Sequence, residues 1–188
     1  MVRSTVVYID AGYLYKVEQH FGIRTDLFVF GVHIAKSRGL WLERLYYYTA
    51  PPFQSNPATV DEKRRKAGYD RFVAAVTRNR TVIVREGRCQ RVDGHYTQKG
   101  VDTLLTMDLM SVPFAHPETK TVCIVACDTD FVPVIQQLRK QGFEIVLVYY
   151  TDRVRGGTFS MSNELLHACE ERLLLNRDIL KATERVRK

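Results

Sequence analysis

Short apolar runs alternate along this chain with longer segments whose apolar residues recur at helical spacing. The short runs predict buried strands at residues 5–9, 41–49, 81–85, 122–126 and 145–150. The longer segments predict helices at residues 11–20, 26–36, 57–78, 101–110, 131–140 and 163–172. Asp93 and Gly94 form a turn signal that predicts a hairpin over residues 86–98. Strands that alternate with helices indicate an α/β fold with a mainly parallel sheet.

Aspartates stand where several of these elements end or begin. Asp10 follows the first predicted strand, and Asp128 and Asp130 follow the strand at residues 122–126. If these two strands are parallel neighbours, their carboxyl ends lie side by side at the edge where α/β sheets bind ligands. Asp102 opens the helix that starts at residue 101. We therefore expect all four carboxylates to project into one cleft.

A purely structural interpretation is open for each of these aspartates, because Asp is a common helix N-cap. Asp102 could cap its helix, and Asp130 is nearer than Asp128 to the helix that follows it. We therefore favour Asp128 as the ligand and keep the capping role open for Asp130. Asp108 lies about a third of a revolution away from Asp102 on the same helix, so we rank it below the others.

Four carboxylates in one cleft need a compensating positive charge, because like charges at close range raise one another's pKa. A divalent cation supplies that charge, and all-oxygen sites suit Mg²⁺ or Mn²⁺. In phosphodiester cleavage such a metal orients and acidifies the attacking water. Lys99 and its basic surroundings would hold the polyanionic substrate. The residues by themselves therefore predict a metal-dependent nuclease.

Composition supports a polyanionic partner. The chain has 188 residues, is 45% hydrophobic and carries a formal charge of +7, which suits one basic domain. Arg153 and Arg155 lie in a glycine-containing loop after the strand at residues 145–150 and could meet phosphate, although the loop has no GxGxxG pattern.

The four cysteines form no CxxC pair, so we expect free thiols rather than a disulfide framework or a zinc site. No stretch has the length of a signal sequence or a membrane span, which predicts a cytoplasmic protein with no membrane partner.

Three ordered motifs resemble the NYN domain family, a branch of the PIN-like nucleases. They are YIDAGYL at residues 8–14, QKGVDTLLTMDLM at residues 98–110 and ACDTDFVPVIQQLRKQGFEIVLVYY at residues 126–150. The segment SNELLHACEERLLL at residues 162–175 is similar to the closing segment of that family. The resemblance covers nearly the whole chain, and it implies a domain at residues 1–175 followed by a basic tail at residues 176–188.

The resemblance implies a Rossmann-like α/β fold, with helices on both faces of a central parallel sheet, and metal-dependent cleavage of RNA by an endoribonuclease. It implies that Asp10, Asp102, Asp128 and Asp130 bind the metal and are catalytic. Supporting positions are Asp108, Lys99, Tyr13 and Thr129. Substrate contacts are expected from Lys99, Arg153 and Arg155.

The chain departs from the family pattern at several positions. Tyr13 stands where many members carry Asn, Ala126 and Cys127 replace Ser and Gly, and Glu170 replaces a common Asp. The alternative function is therefore an RNA-binding or regulatory protein with little or no cleavage activity. A phosphatase of haloacid dehalogenase type does not fit, because Asp10 is followed by Ala-Gly rather than by the second Asp that such enzymes need. The sequence leaves homo-oligomerisation open.

Overall fold

The computed structural model describes residues 3–152, 154 and 157–186. The strands are β1 Ser4–Asp10, β2 Trp41–Thr49, β3 Val82–Glu86, β4 Arg88–Val92, β5 His95–Lys99, β6 Thr121–Val125, β7 Glu144–Tyr149 and β8 Glu171–Leu174. The helices are α1 Ala11–Phe21, α2 Leu27–Ser37, α3 Val60–Val76, α4 Val101–Ala115, α5 Val132–Lys140, α6 Asn163–Ala168 and α7 Arg177–Ala182. A single 3₁₀ turn at Thr129–Phe131 leads into α5.

Six of these strands form one parallel sheet in the order β3-β2-β1-β6-β7-β8. The chain therefore begins in the middle of the sheet, builds one half outward to β3, and then crosses over to build the other half from β6. The strand order reverses between β1 and β6, and in open α/β sheets ligands bind beyond the carboxyl ends of the strands at such a point. The predicted α/β fold with a parallel sheet is confirmed.

The sheet is covered on both faces. Along β1, Val6 and Tyr8 belong to a core cluster that includes residues of α4 and α5. Val7 and Ile9 point the other way, into a cluster that includes residues of α1 and α2. Both clusters include residues with no exposed surface, which explains why the central strands read as continuous apolar runs.

The predicted hairpin is confirmed as a two-stranded antiparallel sheet of β4 and β5. Val92 pairs with His95, so the connecting loop has two residues, Asp93 at φ 50° and Gly94 at φ 82°. Two-residue hairpin loops of this kind need positive φ at both positions, which Asp and Gly tolerate. The sequence signal identified the turn correctly.

The predicted helix at residues 163–172 is wrong in its second half. It begins as expected after Ser162, whose side chain caps it, but ends at Ala168. Glu171–Leu174 instead forms β8, the edge strand that pairs with β7. Arg139 contributes to this ending, because its guanidinium binds the Ala168 carbonyl at 3.1 Å and forms an ion pair with Glu170. Pairing with β7 outweighs the helical spacing of the leucines.

After β8 the chain forms α7, whose residue Leu180 is buried in the core cluster shared with α1 and α2. All four cysteines are free thiols, as the sequence predicted. Among the described residues, no helix has the length and apolar character needed to cross a bilayer.

Candidate active site

Asp10 and Asp128 stand at the strand-order reversal, at the carboxyl ends of neighbouring strands. Ile9 of β1 pairs with Val125 of β6, so the residues that follow each strand share one edge of the sheet. Each carboxylate uses its Oδ1 atom to cap the element that follows. Asp10 accepts from the Gly12 backbone N–H at 2.8 Å, and Asp128 accepts from the Asp130 backbone N–H at 2.9 Å. These bonds orient both carboxylates.

The capping assignment differs from the expectation that Asp130 was the more open to a capping role. Asp128 is the residue that caps, and it caps the 3₁₀ turn rather than α5. The N-cap of the 3₁₀ turn is Asp128 and that of α5 is Phe131, so Asp130 occupies neither position. Thr129 lies between the two aspartates, and all three side chains are exposed.

Asp102 comes from a third segment of the chain, at the start of α4. The interpretation of Asp102 as the N-cap of α4 is wrong, because the N-cap is Gly100 at φ 79° and Asp102 is the second residue of the helix. A left-handed glycine lets β5 pass directly into α4 within one residue. The tight connection carries the Asp102 side chain to the edge of the sheet.

The carboxylates feel one another's charge. Partial desolvation raises the pKa of Asp102, and the charges of Asp128 and Asp130 raise it further. Burial raises the pKa of half-buried Asp10, the backbone N–H groups of Tyr13 and Gly12 oppose that rise, and the charge of Asp102 adds to it. Asp102 therefore interacts electrostatically with Asp10, with Asp128 and with Asp130, which come from two other segments of the chain.

This acidic cluster, defined as Asp10, Asp102, Asp128 and Asp130, has the all-oxygen donor chemistry that Mg²⁺ or Mn²⁺ prefers. The mutual repulsion is the electrostatic condition that a bound cation relieves. Across the residues that the structure describes, however, no three His, Cys, Asp or Glu side chains are close enough to hold a metal ion. The cluster therefore has the chemistry of a cation site without a closed set of ligands.

Lys16 is a member of this environment that sequence reasoning missed. Its positive charge lowers the pKa of both Asp10 and Cys127. Lys16 lies on α1, six positions after Asp10, and it is exposed. An exposed lysine on a helix is so common that the sequence carries no signal for it beyond its distance from Asp10.

Cys127 immediately precedes Asp128 and is the second residue after β6. Burial raises the pKa of its thiol to about 11, with further increases from the charges of Asp10 and Asp128 and a partial offset from Lys16. The thiol is therefore protonated at neutral pH, whereas a cysteine nucleophile acts as the thiolate. This arrangement does not favour covalent catalysis by Cys127.

Tyr13 has a structural position beneath the cluster. The side chain is 2% exposed. Its hydroxyl accepts from the Tyr150 backbone N–H at 2.7 Å and donates to the Tyr150 carbonyl at 3.2 Å. Tyr13 thus joins α1, which follows Asp10, to the residue that follows β7.

Asp108 is bound by partners outside the acidic cluster. Its carboxylate accepts from the Tyr48 hydroxyl at 2.8 Å and from two guanidinium nitrogens of Arg85, at 2.8 and 3.1 Å. These contacts join α4 to β2 and β3. The expected difference in direction between Asp102 and Asp108 on the helix agrees with this arrangement.

The remaining predicted residues lie in different places. Lys99 is the exposed last residue of β5, three positions before Asp102. Arg153 and Arg155 lie outside the described residues. Glu170, which replaces an Asp common in the family, accepts from the Ile145 backbone N–H at 3.0 Å near the start of β7. Glu170 therefore lies near the amino-terminal ends of the strands, whereas the acidic cluster lies near their carboxyl-terminal ends.

A family model and one solved structure agree with this architecture. The family model described as the NYN domain matches residues 4–175. A solved structure of a protein of unknown function, VPA0982 from Vibrio parahaemolyticus, is similar with a TM-score of 0.58 and 16% identity, over 94% of this chain and 95% of that chain. The nicotinamidase SaPncA from Staphylococcus aureus aligns with a TM-score of 0.35 and 12% identity, over 96% of this chain and 89% of that one. No curated protein sequence matches significantly.

Proposed function

The chain belongs to the NYN domain family of PIN-like nucleases, and from that premise we propose that it is a metal-dependent ribonuclease acting on single-stranded RNA. The observation that carries the proposal is the electrostatic interaction among Asp10, Asp102, Asp128 and Asp130 where the strand order reverses. Asp102 thus interacts with carboxylates from two other segments of the chain. Such a concentration of like charge is unfavourable in a fold that has no use for it.

Asp10 and Asp128 are the first residues to consider as holders of Mg²⁺ or Mn²⁺, because a backbone N–H already orients one oxygen of each. Asp102 and Asp130 would add ligands from the other side of the cluster. When bound, the metal would acidify water and neutralise the charge that develops on the phosphate during cleavage.

The surrounding residues of the chain divide the remaining tasks. Lys16 offsets the negative charge of the cluster beside Asp10. The protonated Cys127 thiol leaves water as the attacking group. Lys99, exposed near the start of α4, would bind a substrate phosphate.

Cleavage of a labelled single-stranded RNA tests this function. We expect products with Mg²⁺ or Mn²⁺ and none with EDTA. Replacing two ligands in an Asp10→Asn/Asp128→Asn variant should lower the rate by roughly a hundredfold or more, since metal catalysis supplies several kcal/mol of transition-state stabilisation. The matched control is Asp70→Asn on α3, because Asp70 is exposed and pairs only locally with Lys66. Undiminished cleavage by the double variant would refute the assignment.

A second function, RNA binding with little or no cleavage, is favoured by one observation. No three carboxylates within the described part of the chain are close enough to hold a metal ion. If the wild-type protein binds RNA but yields no product with either metal, this second function replaces the first.

A further inference from the structure

The β4–β5 hairpin stands apart from the main sheet. It forms a sheet of its own, and every residue of β5 is exposed. In β4 only Cys89 and Gln90 are partly buried, so most side chains of the hairpin are available for contacts outside the fold.

The base of this hairpin is nevertheless held firmly. The Gly87 backbone N–H donates to the Thr49 carbonyl at 2.8 Å, which fixes the point where β3 passes into β4. A Cβ atom on Gly87 would lie 2.6 Å from the Lys99 carbonyl oxygen and 2.8 Å from Val101 Cγ2. The two ends of the hairpin and the start of α4 therefore pack against one another.

The side chains of the hairpin are basic. Arg88, Arg91 and Lys99 are all exposed, and Asp93 in the turn is the only acidic residue between positions 88 and 99. Arg88 is paired directly with Lys99 across the two strands. Like charges placed opposite each other destabilise a ribbon, and a polyanion bound there would relieve the repulsion.

An exposed aromatic platform lies on the face of the hairpin that carries Arg91, whereas Arg88 and Lys99 are on the opposite face. Tyr96 is paired with Arg91 in the ladder, and the Arg91 guanidinium carbon lies 5.8 Å from the centre of the Tyr96 ring. Phe53, from the loop after β2, approaches the same ring at 5.7 Å between centroids with a tilt of 48°. Tyr96 remains 56% exposed despite both neighbours. Exposed aromatics combined with arginine are typical of surfaces on which the bases of a single strand stack.

The hairpin also stands at the same edge as the acidic cluster. Glu86 at the end of β3 pairs with Thr49 of β2, and the preceding residue of β2, Tyr48, pairs with Asp10 of β1. At the other end of the hairpin, Lys99 precedes Asp102 by three residues. A single-stranded polyanion bound to the hairpin would therefore lie at the same ends of the β-strands as the carboxylates.

We infer that the β4–β5 hairpin is a binding arm for single-stranded RNA, on which a nucleobase stacks against Tyr96 beside Phe53 while Arg91, on the same face, binds a flanking phosphate. The choice of RNA as the polymer rests on the proposed function. The arm itself rests on the exposed aromatic platform, its basic neighbours and its position at the sheet edge.

Equilibrium binding of a labelled single-stranded RNA of about ten nucleotides, in EDTA to prevent cleavage, tests the arm. We expect Tyr96→Ala to weaken the affinity by roughly 5- to 100-fold, the range set by the loss of one stacked base. Tyr96→Phe should retain the wild-type affinity because it keeps the ring. Arg91→Gln should weaken binding and make its salt dependence shallower. The matched control is Arg3→Gln, since Arg3 is exposed just before β1 at the opposite edge of the sheet.

A fluorescence measurement tests direct stacking in the folded protein. The wild-type chain has one tryptophan, Trp41, which is 50% exposed at the start of β2 and far from the arm along the strands. We expect single-stranded RNA to quench the added emission of a Tyr96→Trp variant and to leave the Trp41 emission of the wild type unchanged. This readout remains informative if an alanine variant folds poorly.

The arm and the nuclease fail separately. If Tyr96→Ala binds RNA as tightly as the wild type, or if the emission of Tyr96→Trp is not quenched, the arm is refuted whatever the Asp10→Asn/Asp128→Asn variant does. If that double variant cleaves normally while the Tyr96 variants behave as expected, the arm stands and the catalytic assignment falls.

Discussion

Gly87 shows how the absence of a side chain at one residue positions the β4–β5 hairpin. The residue has no need of glycine for its backbone angles, because its φ lies outside the left-handed region, but a Cβ would overlap the Lys99 carbonyl oxygen and Val101. A backbone carbonyl cannot rotate away as a flexible side chain can. The side chain of residue 87 therefore decides whether the hairpin can close against the start of α4.

We predict that Gly87→Ala lowers the free energy of unfolding by about 1–3 kcal/mol, the usual cost of forcing an extra carbon into a packed site. The control is Gly68→Ala inside α3, where the nearest atom to a new Cβ is Arg71 Nη2 at 3.9 Å. That change should stabilise the protein by about 0.5–1 kcal/mol, because alanine favours the helix. Urea unfolding measures both, and equal stability of the Gly87→Ala variant and the wild type would contradict the close approach.

At the scale of elements, a hydrogen-bond network around Glu43 of β2 connects several elements near the amino-terminal ends of the strands. The acidic cluster lies at the other ends of the strands. The carboxylate accepts from the Thr119 hydroxyl at 2.6 Å, from His116 Nδ1 at 2.6 Å and from the Ser4 hydroxyl at 3.2 Å. These contacts join the start of β1 to the end of α4 and to the loop before β6. The network holds α4 at the end far from Asp102, so it helps to orient the helix that carries this aspartate.

The network predicts a pH dependence of stability. Burial raises the pKa of Glu43, but the bonds from Thr119, His116 and Ser4 outweigh it and lower the pKa below its ordinary value of 4.5. A depressed folded pKa means that the ionised carboxylate stabilises the fold above pH 4.5 and that this contribution is lost as the pH falls through the folded pKa.

We therefore expect Glu43→Gln to lower the free energy of unfolding by about 1–3 kcal/mol at pH 7, and the difference from the wild type to shrink as the pH falls below 4.5. Glu118→Gln is the matched control, because Glu118 is exposed in the same loop region and should change stability by no more than about 0.5 kcal/mol. Denaturant unfolding of each variant and the wild type, at pH 7 and again below pH 4.5, measures these differences. A difference that stays constant with pH would show that the charge of Glu43 is not what stabilises the network.

At the scale of the whole molecule, the formal charge of +7 coexists with a concentrated acidic cluster. Under the proposed function, the net positive charge would attract a polyanion, while the cluster would repel its phosphates at the point of cleavage until a cation is bound. Attraction of the substrate and its cleavage would therefore use different parts of the surface.

Counterion release then predicts the salt dependence of RNA binding. With about three phosphates neutralised by the arm and its surroundings, affinity for single-stranded RNA should fall by roughly tenfold or more between about 50 and 200 mM salt. A plot of log Kd against log salt concentration measures the slope. An affinity that does not change over this range would contradict binding through the basic surface.

Patterns that depend on a few neighbouring residues were predicted correctly from the sequence. The two-residue turn at Asp93 and Gly94 is one example, because positive φ is a local property. The edge strand β8 is the opposite case, since Glu171–Leu174 becomes a strand by pairing with β7, more than twenty residues earlier in the chain. Likewise, the sequence showed that Asp128 and Asp130 were notable but not which one caps, because an unforeseen 3₁₀ turn intervenes.

The sequence by itself determined the fold class and the family, because periodicity, turn chemistry and motif order are written in consecutive residues, and it singled out the four aspartates as candidates. The tertiary structure alone decided that Asp102 interacts with Asp128, that Asp108 is satisfied by Arg85 and Tyr48, and that the β4–β5 hairpin forms a separate sheet whose strand β5 is exposed. These facts depend on which strands become neighbours. Strand order is set by burial and pairing over the whole chain, so no local stretch of sequence contains it.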